Sequence, residues 1–186
     1  MSTTDIVILA AGRGTRMRSS KAKVLHSLAG RPLIEHVLAS ALPLCSGHCV
    51  VVTGHGAEQL EQALAARPLR FVRQSQQRGT ADAVAAALPA LHPSGVVLVL
   101  YGDVPLIERA TLQQLLAAVT TTQMALLTVQ LAEPSGYGRI VRATSGAVAA
   151  IVEERDASAE QRAINEVNTG VLALRTEQLQ QLLPQI

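Results

Sequence analysis

The sequence is poor in the residues that support nucleic-acid binding and membrane insertion. It has no tryptophan, one phenylalanine and two tyrosines, so the aromatic platforms on which nucleic-acid bases stack are missing. A net charge of +2 is too small for a basic stripe along a nucleic acid. There is neither an apolar run of transmembrane length nor the pattern of a signal peptide at the N-terminus. These absences predict a cytoplasmic protein that binds neither nucleic acid nor membrane.

Cysteine is also scarce, with only Cys45 and Cys49 present. Together with His48 and His55 these residues suggest a metal site, but their spacing fits no common zinc pattern. Cys49 leads directly into an apolar run that predicts a strand. We therefore expect two reduced thiols packed near the start of that strand.

Apolar residues are plentiful, at 48% of 186 residues, which is enough for the core of one domain over residues 1–186. Short apolar runs, which predict strands, alternate with segments of three- and four-residue apolar spacing, which predict helices. The order predicts an α/β fold with a Rossmann-like, mostly parallel sheet, helices on both faces and a β-hairpin flap turning at Ser145-Gly146. The predicted strands span 6–10, 49–53, 96–101, 124–131 and 167–174, and the predicted helices span 32–42, 56–66, 80–91, 109–119 and 176–183.

The loop at 11–20 combines glycines with basic residues directly after the first predicted strand. Five of the sixteen basic residues fall within 13–23, which favours a small anion over a polymer. The loop fits neither the dinucleotide fingerprint, whose third glycine position is occupied by Met17, nor the Walker pattern. Backbone N–H groups near Gly12 and Gly14 can still converge on an anion, with charge added by Arg16 and Lys23. We expect a phosphate-binding loop, and the alternative is a glycine-rich turn that is only structural.

The same loop opens the segment LAAGRGTRM…KVLHSLAGRPLIEHV, which carries a family resemblance. It is followed in collinear order by VVTGHGAE, QSQQRGTADAV, VLVLYGDVPLI, LLTVQLAEPSGYGRIVR, IVEERDA and EVNTGVLAL. The chain resembles the sugar-1-phosphate nucleotidyltransferases over nearly all of its length. Within them it is similar to the bacterial N-acetylglucosamine-1-phosphate uridylyltransferases, which form the N-terminal half of a bifunctional enzyme.

The resemblance implies a nucleotide-diphospho-sugar transferase fold and a Mg²⁺-dependent reaction. N-acetylglucosamine 1-phosphate attacks UTP, giving UDP-N-acetylglucosamine and pyrophosphate for cell-wall precursor synthesis. The attacking phosphate oxygen is already ionised, so catalysis requires in-line positioning and charge neutralisation more than a base. Two alternatives remain: transfer to another sugar or alcohol phosphate, and a binding module for nucleotide sugars without catalysis.

The resemblance assigns the phosphates and the metal to three side chains. Arg16 and Lys23 are the implied catalytic residues, and Asp103, at the end of a buried strand, is the implied Mg²⁺ ligand. Helix capping is the alternative role for Asp103. The chain departs from the family pattern in having Ala22 where proline usually precedes the lysine, which leaves Lys21 as a competitor for the role of Lys23.

The remaining implied contacts are with the uracil base, with the sugar and with other parts of the nucleotide. Gln74, Gly79 and Thr80 resemble the residues that read uracil, and Gly138, Glu153 and Asn168 resemble those that hold the sugar. Further nucleotide contacts are implied for Leu9, Ala10, Ala11, Gly12, Tyr101 and Gly102.

Several charged residues near these positions are expected to have no role in binding. Asp82 is expected to act only as a carboxylate in the first turn of a helix. Glu154 and Asp156 are expected to be solvated charges, as are Arg13, Arg18 and Lys21.

The resemblance also implies features beyond Ile186. A second metal ligand, an asparagine, and a further sugar-binding stretch lie there in the family, so we expect this chain length to turn over slowly or not at all. The hexapeptide repeats of the family's acetyltransferase β-helix do not occur in the sequence, so we expect no acetyltransferase activity. Full-length relatives trimerise through that absent domain.

Overall fold

A computed structural model describes residues 3–12, 14, 17–76 and 78–185 of the chain. Two short strands follow the first one, and helices and strands then alternate from Leu33 to Ala117. The strands are β1 (Thr4–Leu9), β2 (Ser27–Leu28), β3 (Arg31–Pro32), β4 (Cys49–Thr53), β5 (Arg70–Arg73), β6 (Val96–Tyr101), β7 (Ala125–Gln130), β8 (Arg139–Arg142), β9 (Val148–Val152) and β10 (Glu166–Arg175). The helices are α1 (Leu33–Ala41), α2 (Ala57–Ala63), α3 (Thr80–Ala87), α4 (Arg109–Ala117), α5 (Ala159–Arg162) and α6 (Thr176–Leu182).

All five predicted helices end earlier than the apolar spacing predicts, and in three of them a Leu-Pro-x turn follows directly. Short 3₁₀ turns continue α1, α3 and α6 at Leu42–Leu44, Leu88–Ala90 and Leu183–Gln185, each with the sequence Leu-Pro-x. A proline has no N–H for the helical hydrogen-bond ladder and its ring crowds the preceding turn. The sequence pattern also missed β5. Its four residues, Arg-Phe-Val-Arg, neither alternate between polar and apolar nor form a continuous apolar run.

The contacts of the chain divide it into two units, residues 1–125 with 172–186 and residues 126–171. The sheet of the first unit has the order β5-β4-β1-β6 with the last residues of β10 beside β6. Strands β1, β4, β5 and β6 are parallel, and β10 is antiparallel to β6. This mostly parallel sheet confirms the predicted fold class.

The central strands β1, β4 and β6 are buried on both faces, because apolar residues occupy nearly every position in them rather than every second one. On one face Val7 and Val50 pack against Val84 of α3 and Leu179 of α6. The alternate residues, such as Ile6 and Ile8, are also fully buried and point to the opposite face. Burial of each such side chain contributes about 1.5–3 kcal/mol, so the central strands form the rigid base on which the loops are mounted.

The strand order brings the carboxyl ends of β1 and β6 together. Leu9 lies opposite Tyr101 in the parallel register, and the Gly102 N–H donates to the Leu9 carbonyl at 2.9 Å. The chain moves outward from β1 to β4 and β5, and then crosses to the other side of β1 for β6. Crevices at such reversals are the usual ligand sites of open parallel sheets.

The second unit is built on the predicted hairpin. Strands β8 and β9 are antiparallel, with Ile140 opposite Ile151, and the turn closes with a hydrogen bond from Gly146 N–H to the Ala143 carbonyl. Within the described residues of the whole chain, no helix combines the length and apolar character needed to cross a membrane.

Candidate active site

A cleft of about 650 Å³ opens at the carboxyl edge of the parallel strands, within the first unit. Its walls come from the loop after β1, the segment between β5 and α3, and the end of β6. The lining residues are Leu9, Ala10, Ala11, Gly12, Gly14, Met17, Lys23, Val24, Gln74, Gly79, Thr80, Ala83, Tyr101 and Asp103. Most of the residues implied to bind the nucleotide therefore share one cavity. Arg13 and Arg16 lie outside the described residues.

The loop after β1 is packed closely against the turn that carries Lys23. Gly14 has a φ of +58°, and a Cβ added there would come within 2.8 Å of the Lys23 Cβ. Only glycine fits this position without moving the lysine. Lys23 itself begins a 3₁₀ turn whose next two residues, Val24 and Leu25, are buried. The buried pair fixes the turn and leaves the lysine side chain at the cleft.

Lys23 forms an ion pair with Asp103 across this cleft, from Nζ to Oδ2. Both side chains remain partly exposed, at 41% and 25%. Asp103 follows β6 by two residues, and the next helix begins only at Arg109 with Glu108 as its N-cap, so the capping alternative is wrong. The exposed Lys21 lies outside the set of cleft-lining residues, and the geometry therefore favours Lys23 over Lys21.

The departure at Ala22 leaves the backbone in a proline-like conformation. Ala22 has φ −54° and ψ 135°, close to the φ that a proline ring imposes. The residue is buried, and its N–H donates to Gln59 Oε1 at 3.4 Å. The local geometry is thus held by packing and by Gln59 where the family pattern uses a ring.

Gln74 directly follows β5 and is anchored through its backbone and its side chain. Its N–H donates to the Thr53 carbonyl at 2.8 Å. Its side-chain Nε2 donates to the Gly79 carbonyl at 3.1 Å and to Asp82 Oδ2 at 2.7 Å. Gln74 is 8% exposed. Asp82 does lie in the first turn of α3, as expected, but sequence reasoning missed its contact with Gln74.

The residues implied to bind the sugar lie in the second unit, where they are brought together. The Asn168 N–H donates to the Gly138 carbonyl at 2.8 Å. A Cβ added to Gly138 would lie 3.3 Å from Glu153 Oε1, so Glu153 is also adjacent. Asn168 Oδ1 accepts from the Gly170 N–H at 2.8 Å, which orients its amide.

Comparison with known proteins identifies the family of the chain. Residues 6–169 match the model of the MobA-like NTP transferase domain. The chain belongs to this family. It is 59% identical over 182 residues to the bifunctional protein GlmU of Cellvibrio japonicus and 60% identical over 170 residues to that of Azotobacter vinelandii. These matches cover 98% and 91% of this chain but 40% and 37% of the relatives, so the chain spans about two fifths of their length.

Solved structures of NTP-using enzymes share the fold of this transferase domain. A nucleotidyl transferase from Methanothermobacter thermautotroptrophicus superposes with a TM-score of 0.68 at 23% identity, covering 98% of this chain and 76% of that chain. The CMP:2-keto-3-deoxy-manno-octonic acid synthetase complexed with CTP superposes with a TM-score of 0.71 at 23% identity, covering 96% and 76%. At this identity the likeness establishes the nucleotide-diphospho-sugar transferase fold.

A divalent metal, which this family generally uses, fits the chemistry of the cleft. Asp103 offers a hard carboxylate oxygen at the sheet edge where phosphates would lie. Mg²⁺ commonly takes one or two carboxylates and completes its octahedron with water and phosphate oxygens. Among the described residues that line the cleft, Asp103 is the carboxylate that could hold such an ion.

The expectation that Glu154 is a solvated charge is wrong. Its Oε2 accepts from Arg139 Nη2 at 2.7 Å and from the Gly136 N–H at 3.2 Å. The hydrogen bond from Arg139, followed by the Gly136 N–H, holds the pKa of Glu154 below its usual range. Arg139 is 1% exposed and also donates to the Tyr137 carbonyl. An arginine that is buried among the apolar residues of a strand requires such a partner. The position of Arg139 in an apolar strand segment was therefore the sequence signal for this pair.

A second group of ligand-type side chains lies at the opposite edge of the sheet. Asp5, His48 and His92 meet there, with the two imidazole rings stacked at 3.9 Å. Asp5 accepts from both histidine N–H groups at 2.6 Å and contacts His92 Nδ1 at 2.8 Å, while His48 Nδ1 contacts the Ala90 carbonyl at 3.0 Å. These hydrogen bonds account for the polar contacts that bring the three side chains together.

The two cysteines are unpaired in this region, as predicted. Cys45 is half-buried and Cys49 is buried at the start of β4. Burial raises the pKa of the Cys49 thiol to about 12. The thiol is therefore a packing group at neutral pH.

Proposed function

We propose that this domain transfers a uridylyl group from UTP to N-acetylglucosamine 1-phosphate, releasing pyrophosphate and forming UDP-N-acetylglucosamine. The observation that carries the proposal is the ion pair of Lys23 and Asp103 inside a cleft rimmed by a donor-rich loop. Similarity to proteins named GlmU and to the uridylyltransferase motifs supports the choice of base and sugar. The product would serve cell-wall precursor synthesis.

The chemistry is an in-line displacement at the α-phosphorus. An oxygen of the sugar phosphate forms a bond to this phosphorus while the bond to the leaving pyrophosphate breaks. The reacting groups are all anionic, so the principal barrier is electrostatic. Mg²⁺ held by Asp103 would neutralise and align the phosphates.

The side chains of the cleft have separate tasks in this proposal. Lys23 exchanges Asp103 for phosphate oxygens and stabilises the charge that develops on the leaving pyrophosphate. Arg16 adds a second positive charge. Backbone groups of 9–12 and 101–102 hold the nucleotide, and Gln74, Gly79 and Thr80 read the uracil edge. Gly138, Glu153 and Asn168 hold the sugar.

Pyrophosphate release from UTP, N-acetylglucosamine 1-phosphate and Mg²⁺ tests the proposal, with nucleotide binding measured in parallel by calorimetry. We expect Lys23→Ala and Asp103→Asn each to lower the rate by at least about 100-fold, because each removes charge stabilisation of the transition state. Lys21→Ala is the matched control, because Lys21 is an exposed lysine two positions away, and we expect it to stay within about twofold of the parent.

The outcomes separate the alternatives. Pyrophosphate release with another sugar or nucleotide but not with this pair would contradict the assigned substrates. Because this chain length is expected to turn over slowly, the assay includes a chain extended by the family segment that follows residue 186. Tight nucleotide binding without pyrophosphate release from any pair by either chain would favour a binding module. A larger loss for Lys21→Ala than for Lys23→Ala would contradict the assigned lysine.

A further inference from the structure

We propose that Asp82 is a positioning residue that sets the nucleobase preference of the cleft by fixing the amide of Gln74. This inference deepens the proposed function and rests on it. The juxtaposition that carries it is the hydrogen bond from Gln74 Nε2 to Asp82 Oδ2 at 2.7 Å, on the wall of the nucleotide cleft.

The two protein partners of the Gln74 amide determine which way it faces. A primary amide has two N–H donors and one carbonyl acceptor. Both donors are used, one by the Gly79 carbonyl at 3.1 Å and one by Asp82. A backbone carbonyl and a carboxylate can only accept, so turning the amide over would place its oxygen against two acceptors. The orientation therefore follows from the chemistry of the partners.

Gln74 has little freedom to escape these contacts. It is 8% exposed, and its N–H is bound to the Thr53 carbonyl at the end of the neighbouring strand β4. Gly79 is the N-cap of α3 and Asp82 is its third residue, and the inner face of this helix is anchored by Ala83 and Val84 in the core. The two acceptors are thus mounted on one rigid element, and the amide is held between that element and the sheet.

The oxygen Oε1 is then the polar atom that Gln74 offers to a ligand, and it accepts a hydrogen bond. Uracil presents a ring N–H between two carbonyls and can donate to such an oxygen. Cytosine bound in the same position presents an unprotonated ring nitrogen, so the lone pair of that nitrogen would face a lone pair of Gln74 Oε1. A site built around one required hydrogen bond discriminates strongly against an analogue that cannot make it.

Without Asp82, the Gly79 carbonyl would be the remaining protein acceptor for the Gln74 amide. Turning the amide over would then break one hydrogen bond, whereas in the parent chain it breaks two. The flipped amide presents an N–H to the cleft, which cytosine can accept. We therefore expect Asp82→Ala to narrow the preference for UTP over CTP by at least about tenfold, the lower end of what one hydrogen bond to a charged partner contributes. Asp82→Asn retains an acceptor oxygen and should keep most of the preference.

The experiment measures the dissociation constants of UTP and CTP by calorimetry in the presence of Mg²⁺, for the parent chain, Asp82→Ala, Asp82→Asn and Gln74→Ala. The double variant Gln74→Ala/Asp82→Ala completes a cycle. Glu58→Ala removes an exposed first-turn carboxylate from α2 and controls for the loss of a helix N-terminal charge. A melting curve for each variant shows that it is folded.

The expected result is a ratio of the CTP to the UTP dissociation constant that falls in Asp82→Ala and is largely kept in Asp82→Asn and Glu58→Ala. This ratio should change no further when Asp82→Ala is added to Gln74→Ala. An unchanged ratio in Asp82→Ala, or an equal fall in the Gln74→Ala background, would overturn the role of Asp82 while leaving the proposed function intact. A parent chain that binds CTP as well as UTP would overturn the base specificity in the proposed function itself.

Discussion

Ala22 shows how one residue can differ from a family pattern while the local geometry is kept. Its φ of −54° is one that proline adopts, and its N–H makes only a long hydrogen bond of 3.4 Å to Gln59. The neighbouring Lys23 nevertheless reaches Asp103. The conformation that positions the lysine therefore depends on burial of Ala22 and its neighbours rather than on a ring.

We expect Ala22→Pro to raise the free energy of unfolding by up to about 1 kcal/mol, because the ring restricts the unfolded chain more than the folded one. Urea denaturation followed by circular dichroism measures the change, and UTP binding should be unaffected. Gln59→Ala, which removes the partner of the Ala22 N–H, gives the cost of that hydrogen bond alone. A loss of stability greater than that of Gln59→Ala would show that the backbone at this position is not compatible with proline.

At the scale of elements, the hairpin β8–β9 depends on a buried cation. Arg139 is 1% exposed and connects Glu154, which follows β9, with the carbonyls of Tyr137 and Arg162. The guanidinium has several donors in a rigid plane and can hold these three segments at once. It lies directly beside Gly138, whose carbonyl accepts from Asn168.

We expect Arg139→Met to lower the free energy of unfolding by about 3 kcal/mol, because it leaves the partners of a buried charge without their donor. Chemical denaturation measures the loss. Arg155→Met is the matched control, since the Arg155 side chain is 86% exposed in its pair with Asp156 and such pairs contribute little. Equal effects of the two substitutions would mean that Arg139 does not organise the hairpin.

At the scale of the whole molecule, a buried carboxylate ties the strands of the parallel sheet together at its amino edge. Asp5 of β1 binds the N–H groups of His48, just before β4, and of His92, ahead of β6. Burial alone would raise the pKa of Asp5, but the hydrogen bonds from His48 and His92 together bring it below its ordinary value of 3.8. The folded state therefore prefers the ionised carboxylate.

A carboxyl whose pKa is lower in the folded state stabilises the fold above its unfolded pKa, and this stability is lost as the pH falls through the folded value. We expect Asp5→Asn to cost about 3 kcal/mol at pH 7 and to flatten the fall in stability below about pH 4. Melting temperatures between pH 3 and 7 measure both effects. Glu133→Gln, at an exposed carboxylate, is the control, and a pH profile of Asp5→Asn parallel to that of the parent chain would contradict this role.

Several features of the fold and of the candidate site could be predicted from local sequence alone. Continuous apolar runs predicted β4 and β6 to the residue, because a strand buried on both faces needs apolar side chains at every position. The order of strands and helices predicted the parallel sheet, and the position of Asp103 after β6 placed it at the ligand edge. The predicted end of α3 lay four residues too far along the chain and those of α1 and α6 one residue too far, since the Leu-Pro-x turns keep the apolar spacing beyond the last helical hydrogen bond.

The pairing of polar groups could not be predicted in the same way. Gln74 and Asp82, Arg139 and Glu154, and Asp5 and His92 are separated by 8, 15 and 87 positions, and nothing in their local patterns joins them. Apolar burial is non-directional and follows the repeat of each strand or helix, so the sequence by itself determined the layers, the sheet edge that carries the cleft and the family. Hydrogen bonds are directional and short-range, so only the tertiary structure decided which carboxylate meets which donor, including the contact that fixes the amide of Gln74.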